Sequence, residues 1–307
     1  MKLRLENYRG VAIALVLSLL AASPLAAQNK TLRWNLKEGQ KFNIEITQDQ
    51  QQNMNVPGQP EMEIPIEQGT YMTWEVTGAD SDKFNITQVI TRMTMSMAAP
   101  MMEIEYDSDD GEADGMAAQM AATIEPVIDA EIKFVMNARG EISDVEIPED
   151  VIDAIESAGG GMMGANGLNA DALKQLVNQS SLVLPEDPAS GGVTWANENK
   201  IDTPMMNMAV KTDYEYIGEE EVNGNKIHKI STSSEVEIEA GENALGGSVE
   251  LEDQESTGEV WFDNNAGYMI GAKSTQKMIM IMEVQGMEME MESEAIVEVK
   301  ITPSDDK

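Results

Sequence analysis

The chain has 307 residues, 55 of them acidic against 20 basic for a formal charge of −35, and it contains no cysteine and one histidine. The missing thiols exclude disulfides, thiol catalysis and thiolate zinc sites, and a lone imidazole leaves no basis for a His-rich metal centre. So negative a chain repels nucleic acid and anionic membranes, because it has no basic field that could release phosphate counterions.

The N-terminus reads as a signal peptide over residues 1–27. Lys2, Arg4 and Arg9 form a basic head, Val11–Leu20 an apolar run too short for a comfortable span, and Ala27 a cleavage position. No cysteine stands after it to carry a lipid. The expectation is export to the periplasm or medium with no stable transmembrane anchor. Removal takes away three cations and Glu6, so the formal charge moves from −35 to −37. Residues 28–307 then form a single β-rich domain.

Alternation dominates the mature chain. Leu32, Trp34 and Leu36 share one side, and after a Glu38-Gly39 turn Phe42, Ile44 and Ile46 repeat the pattern of a half-buried strand. Residues 70–95 read as strand, turn at Gly78-Ala79-Asp80, strand. Val89, Thr91, Met93, Met95 and Met97 share a parity, and a four-residue loop from Ala98 to Met101 would set Met102, Ile104 and Tyr106 opposite them. The acidic stretch at 107–115 lacks calcium-loop spacing: counted from Asp107, the sixth position is Glu112 rather than Gly, and the twelfth is Ala118 rather than Glu. A solvated acidic turn fits it better.

The middle changes period. Met116, Met120 and Ile124 predict a helix stopped by Pro126. Val151, Ile152 and Ile155 predict another behind Pro148. Leu173, Leu176 and Val177 predict a third after an Asn169 cap. Their apolar stripes are most simply buried across one face of the sheet. Between them, residues 131–148 form a hairpin turning at 137–140.

Strands resume with Met206, Met208, Val210, Tyr214 and Tyr216, and Asn223-Gly224 is a strong hairpin signal. His228 lies between Ile227 and Ile230 with no nucleophile or acid patterned around it, and reads as an exposed or satisfied strand residue. Trp34, Trp74, Trp195 and Trp261 read as core anchors. Residues 73–97 align loosely with 259–282, each passing from a Trp through a polar turn to alternating methionines. This allows two similar β halves, 28–110 and 200–303, around a helical insert at 111–185.

The segment 278–292, MIMIMEVQGMEMEME, is the most unusual. A two-residue loop at Gln285-Gly286 sets Val284 against Met287, Met282 against Met289 and Met280 against Met291. All six methionines then share one face, with glutamates on the other. Methionine is unbranched and easily repacked, where a rigid strand core would use β-branched and aromatic residues. Three readings compete: core filling, an adaptable surface for an apolar ligand, or a thioether Cu(I) site.

Three stretches resemble an uncharacterised family of secreted bacterial proteins: LRWNLKEGQKFNIEITQDQQQNM (32–54), FVMNARGEISDVEIPEDV (134–151) and LVLPEDPASGGVTW (182–195). That resemblance implies no enzymatic activity and no cofactor. The strand–helix–strand order is also similar to lipoprotein-carrier half-barrels, a likeness of fold alone. The expectation is a mainly β (α+β) chain: an antiparallel curved sheet or half-barrel with the central helices on one face. It is an exported, non-enzymatic protein whose partner is a lipid or other apolar small molecule. The candidate ligand-binding residues are Met93, Met95, Met97, Met278, Met280, Met282, Met289 and Met291, with no catalytic or metal residue. A structural envelope module without ligand and a periplasmic Cu(I)-binding protein are the alternatives.

Overall fold

A computed structural model describes residues 30–58, 60–99, 102–111, 115–158, 174, 177, 180–202, 207–222, 224–239, 248–284 and 287–304. The expected signal peptide lies outside the described residues, as does most of the expected third helix. Twelve strands are described: β1 (Lys41–Asn55), β2 (Met62–Ala79), β3 (Lys83–Ala99), β4 (Met102–Asp107), β5 (Glu131–Asn137), β6 (Ile142–Glu146), β7 (Thr194–Asp202), β8 (Asn207–Val222), β9 (Asn225–Glu239), β10 (Ser248–Asp263), β11 (Tyr268–Val284) and β12 (Met287–Pro303). Helix α1 (Gly115–Ile124) runs into a 3-10 turn, Glu125–Val127, and α2 (Glu149–Ala158) comes after β6.

The strands form one antiparallel sheet in the order β6-β5-β3-β2-β1-β12-β11-β10-β9-β8-β7, with β4 hydrogen-bonded to part of β3. The chain's first long strand therefore meets its last, at β1–β12. The sheet is open, since β6 and β7 end the order.

Its curvature is fixed by one residue. Trp74 on β2 and Phe262 on β10 are four strand steps apart, roughly 19 Å on a flat sheet. Both rings touch Trp34, with centroids 6.4 and 5.6 Å away, so they are at most about 12 Å apart. The sheet must curl around Trp34.

Leu32, Trp34 and Leu36 are buried but belong to no strand. This corrects the strand expected there. The segment is an extended plug: Trp34 N–H donates to the Ala138 carbonyl and Asn35 N–H to Gly267 (2.9 and 2.8 Å). Alternation reports a two-sided environment, not a ladder. A second plug segment, Leu182–Ala189, lies beside the first. Lys30 pairs with Ala189, the Trp34 indole N–H donates to the Leu182 carbonyl at 3.0 Å, and the Trp195 indole to Val183 at 2.9 Å. Both segments join Phe42, Ile44, Trp74, Val76, Phe84, Phe134, Ile230, Phe262 and Ile301 in one core at this end of the sheet. The face those strand residues occupy is the inner face.

Among the register shifts of the described sheet, two reset parity near the candidate methionines. Met72 pairs with Ile90 but Tyr71 with Arg92, so Thr91 is the extra residue on β3. Up to Ile90 the even positions face inward, and from Met93 the odd ones do. Val89, opposite Thr73, is therefore on the other face from Met93, Met95 and Met97, and the single parity expected for 89–97 does not hold. On β10, Glu252 is likewise skipped between Leu251 and Asp253. The β3–β4 register is also shifted from expectation. Met97 opposes Ile104, Ala99 opposes Met102, and β3 extends through Ala98 and Ala99 instead of looping there.

Candidate ligand-binding face

The registers lay the inner face out in rows. At the core end lies the row of Trp74 and Phe42. Next comes the row of Met72, Ile44 and Ile301. At mid-height runs Gln68, Gln48, Val297, Ser274, Gly258 and Thr232. Above it lies Ile66, Gln50, Ala295, Gln276 and Ser256, then Ile64, Gln52, Ser293, Met278 and Gln254. The next row is Met62, Met54, Met291, Met280 and Leu251, and beyond it Met289 opposes Met282.

The 278–292 hairpin has the expected register, with Val284 opposite Met287, Met282 opposite Met289, Met280 opposite Met291, and Ile281 opposite Glu290 on the other face. Met278, Met280, Met282, Met289 and Met291 are all half-buried. The structure adds Met54 and Met62 to their row. Those two stand alone in the sequence, and only their even parity with Phe42 and Trp74 could have signalled them.

Met93, Met95 and Met97 have a different fate. They pack, half-buried, against the cluster of Ile104, Tyr106, Ala117, Met120 and Ala121, so α1 covers them. The eight candidate methionines thus share one face but form two groups, one on β3 under a helix and one on β11–β12.

No Asp, Glu, Lys or Arg holds a paired inner position on β1, β2, β3, β10, β11 or β12 among the described residues. The charges stand on the outer face, in cross-strand pairs such as Lys229–Glu259 (2.7 Å), Lys277–Glu294 (3.2 Å) and Lys273–Glu298. The middle of the inner face is polar without charge. Gln48 donates to Gln50 (2.8 Å), Gln50 donates to the buried Ser293 hydroxyl (2.9 Å), and Gln254 makes two hydrogen bonds to the Val236 backbone (2.7 and 2.8 Å).

Among the described residues three open hollows of about 710, 610 and 570 Å³ are lined mainly by outer-face residues, and Lys273 borders all three; the first is also bordered by Gln48, Gln68 and Tyr106 of the inner positions. Met95 is the one candidate methionine lining any of them. Trp261 borders the third hollow, half-buried, whereas Trp34 and Trp74 are core residues as expected.

His228 is buried, and its Nδ1 lies 2.9 Å from the Tyr216 hydroxyl. Burial lowers its pKa below the ordinary value, against the opposing pull of Glu219. Burial also pushes Glu219 up, but the hydrogen bond and charge of Lys30 carry it below the usual carboxylate range. In the acidic turn, hydrogen bonds from the Arg92 guanidinium hold Asp107 low, and Asp109 also pairs with Arg92. Among the described residues no group of three His, Cys, Asp or Glu is arranged to hold a metal.

Comparison with solved structures finds partial likenesses at low identity. Lipovitellin, from a study of its lipid–protein interactions, aligns with a TM-score of 0.46 at 13% identity over 89% of this chain, which spans 26% of that chain. DynF from the dynemicin biosynthesis pathway of Micromonospora chersina aligns at 0.24 and 9%, covering 95% and 92% of the two chains. An outer membrane channel of Pseudomonas putida F1 aligns at 0.27 and 7%, covering 88% and 97%. No curated protein matches the sequence. A family model does match, over residues 81–304. That range includes two of the three stretches carrying the resemblance to an uncharacterised family, and the third, 32–54, precedes it.

Proposed function

This chain belongs to the family of unknown function DUF6263, and we propose that it is an exported, non-enzymatic protein that holds an apolar or lipid-like ligand on its methionine-rich inner face. The observation that carries this reading is the half-exposed, charge-free apolar surface of Met54, Met62, Leu251, Met278, Met280, Met282, Met289 and Met291 in so acidic a chain. Contiguous apolar surface of this kind marks an interaction site, and methionine adapts to guests of varied shape. At the core end, other side chains of the same face, such as Phe42, Ile44, Trp74 and Phe262, are buried with the two plugs. The β3 methionines are a second contact surface, reached through α1, and the central helices as a group pack on this face. Among the described residues no helix is long and apolar enough to cross a membrane.

The test is mass spectrometry of organic extracts of protein purified from its native host, with thermal melts on adding lipids. A co-purifying lipid and a raised melting temperature are expected. A lipid-free protein with an unmoved melt refutes the reading and leaves a structural envelope role.

The row Met62–Met54–Met291–Met280 favours one second reading. Four thioethers on adjacent strands suit Cu(I), and competition with a chromogenic Cu(I) chelator decides it. Loss of all copper to the chelator ends that reading.

A further inference from the structure

We infer that the inner face selects amphiphiles with a polar but uncharged headgroup, the methionine rows taking the tail and the Gln/Ser band the head. This rests on the lipid-binding reading and adds the ligand's chemical class. Three observations carry it.

The first is the order of chemistry along the strands. From the core end outward, the rows run from closed apolar core, through the band holding Gln48, Gln50, Gln68, Ser274 and Gln276, to the open methionine surface. A purely apolar guest has no use for such a band, and packed strands would fill it with β-branched residues.

The second is unused hydrogen-bonding capacity. Gln68 and Gln276 have no side-chain partner among the described residues, and each amide offers two donors and an acceptor. The Tyr106 hydroxyl is also buried without a partner; its residue opposes Met95, which opposes Gln68. Of these three only the Tyr106 hydroxyl is buried, and a buried polar group is normally satisfied; Gln68 is exposed and Gln276 half-buried, so their amides are open to exchange water for the polar head of a ligand.

The third is charge. The described inner rows hold no cation to neutralise a phosphate or carboxylate, and a chain of formal charge −35 repels anions at a distance. Burying an unpaired ionic head beside neutral amides is costly, whereas hydroxyl or amide heads are matched donor for acceptor.

The experiment is calorimetry on the full exported chain with three probes of equal tail length, all below their micellar concentrations: dodecyl maltoside, laurate and dodecyltrimethylammonium. Dodecyl maltoside is expected to bind roughly tenfold or more tighter than either ion. The preference over laurate should persist in high salt, where long-range repulsion is screened. Gln276→Lys, or the more exposed Gln68→Lys, should raise laurate affinity and weaken dodecyl maltoside with the melting temperature kept. Laurate binding as tightly as dodecyl maltoside in high salt overturns the headgroup inference while the lipid reading stands. Binding of none of the three overturns both.

Discussion

Gly140 is where the plug meets the sheet, and Gly140→Ala tests that junction. Its φ is +94°, a region that costs an L-residue roughly 1–2 kcal/mol. A Cβ there would stand 2.1 Å from the Leu182 carbonyl oxygen and 2.7 Å from the Trp34 indole nitrogen. Those two atoms form the hydrogen bond joining the plug segments, so the methyl must wedge it open. A buried donor and acceptor left unpaired cost about 1–3 kcal/mol. The lower backbone freedom of Ala in the unfolded chain returns about 0.4–1 kcal/mol. The net loss is roughly 2–4 kcal/mol. At a urea m-value of about 3 kcal/mol per M, the unfolding midpoint should fall by about 1 M. Equilibrium urea denaturation monitored by tryptophan fluorescence reads both the midpoint and the Trp34 environment. A midpoint unchanged within about 0.2 M would refute the argument that the Leu182 plug docks on the 138–140 corner.

Named contacts carry three further predictions. His228 is buried and neutral with its pKa lowered, so its contribution to stability is complete above its ordinary value of 6.5 and is lost as pH falls through the lower folded value. Thermal melts between pH 8 and 5 should show this loss, and a His228→Gln variant should show less of it. Gln88 is buried and accepts the Trp74 indole N–H at 2.9 Å, so Gln88→Leu should cost about 1–3 kcal/mol in chemical denaturation. The double change Met280→Leu and Met291→Leu removes two sulfurs at nearly constant volume. It should alter stability by less than about 1.5 kcal/mol per site and preserve lipid binding; lost Cu(I) retention in the chelator assay would instead identify a thioether site.

Much of this molecule was legible one residue at a time. Strand alternation, the glycine turns and the Gln285-Gly286 parity switch predicted the β-rich class and the register of the methionine hairpin. The family resemblance was legible too, in motifs at 134–151 and 182–195 that the matched range includes. The β3–β4 hairpin was harder. Thr91 is an ordinary strand residue, and nothing in its neighbours announces the extra position that moves Val89 to the opposite face from Met93.

The sequence by itself determined which side chains share a face over short runs, because the strand period is local and covalent. It also determined the charge, the absence of thiols and the neutral composition of the inner positions. Tertiary structure decided what each face meets. Leu32, Trp34 and Leu36 became a plug because the sheet curls far enough for Trp74 and Phe262 to close on one indole. Met93, Met95 and Met97 gained a cover because α1 returns over β4, while the methionines of β11 and β12 stayed half-open. Burial depends on which distant segments arrive above a strand, and the spacing of residues within that strand carries no record of them.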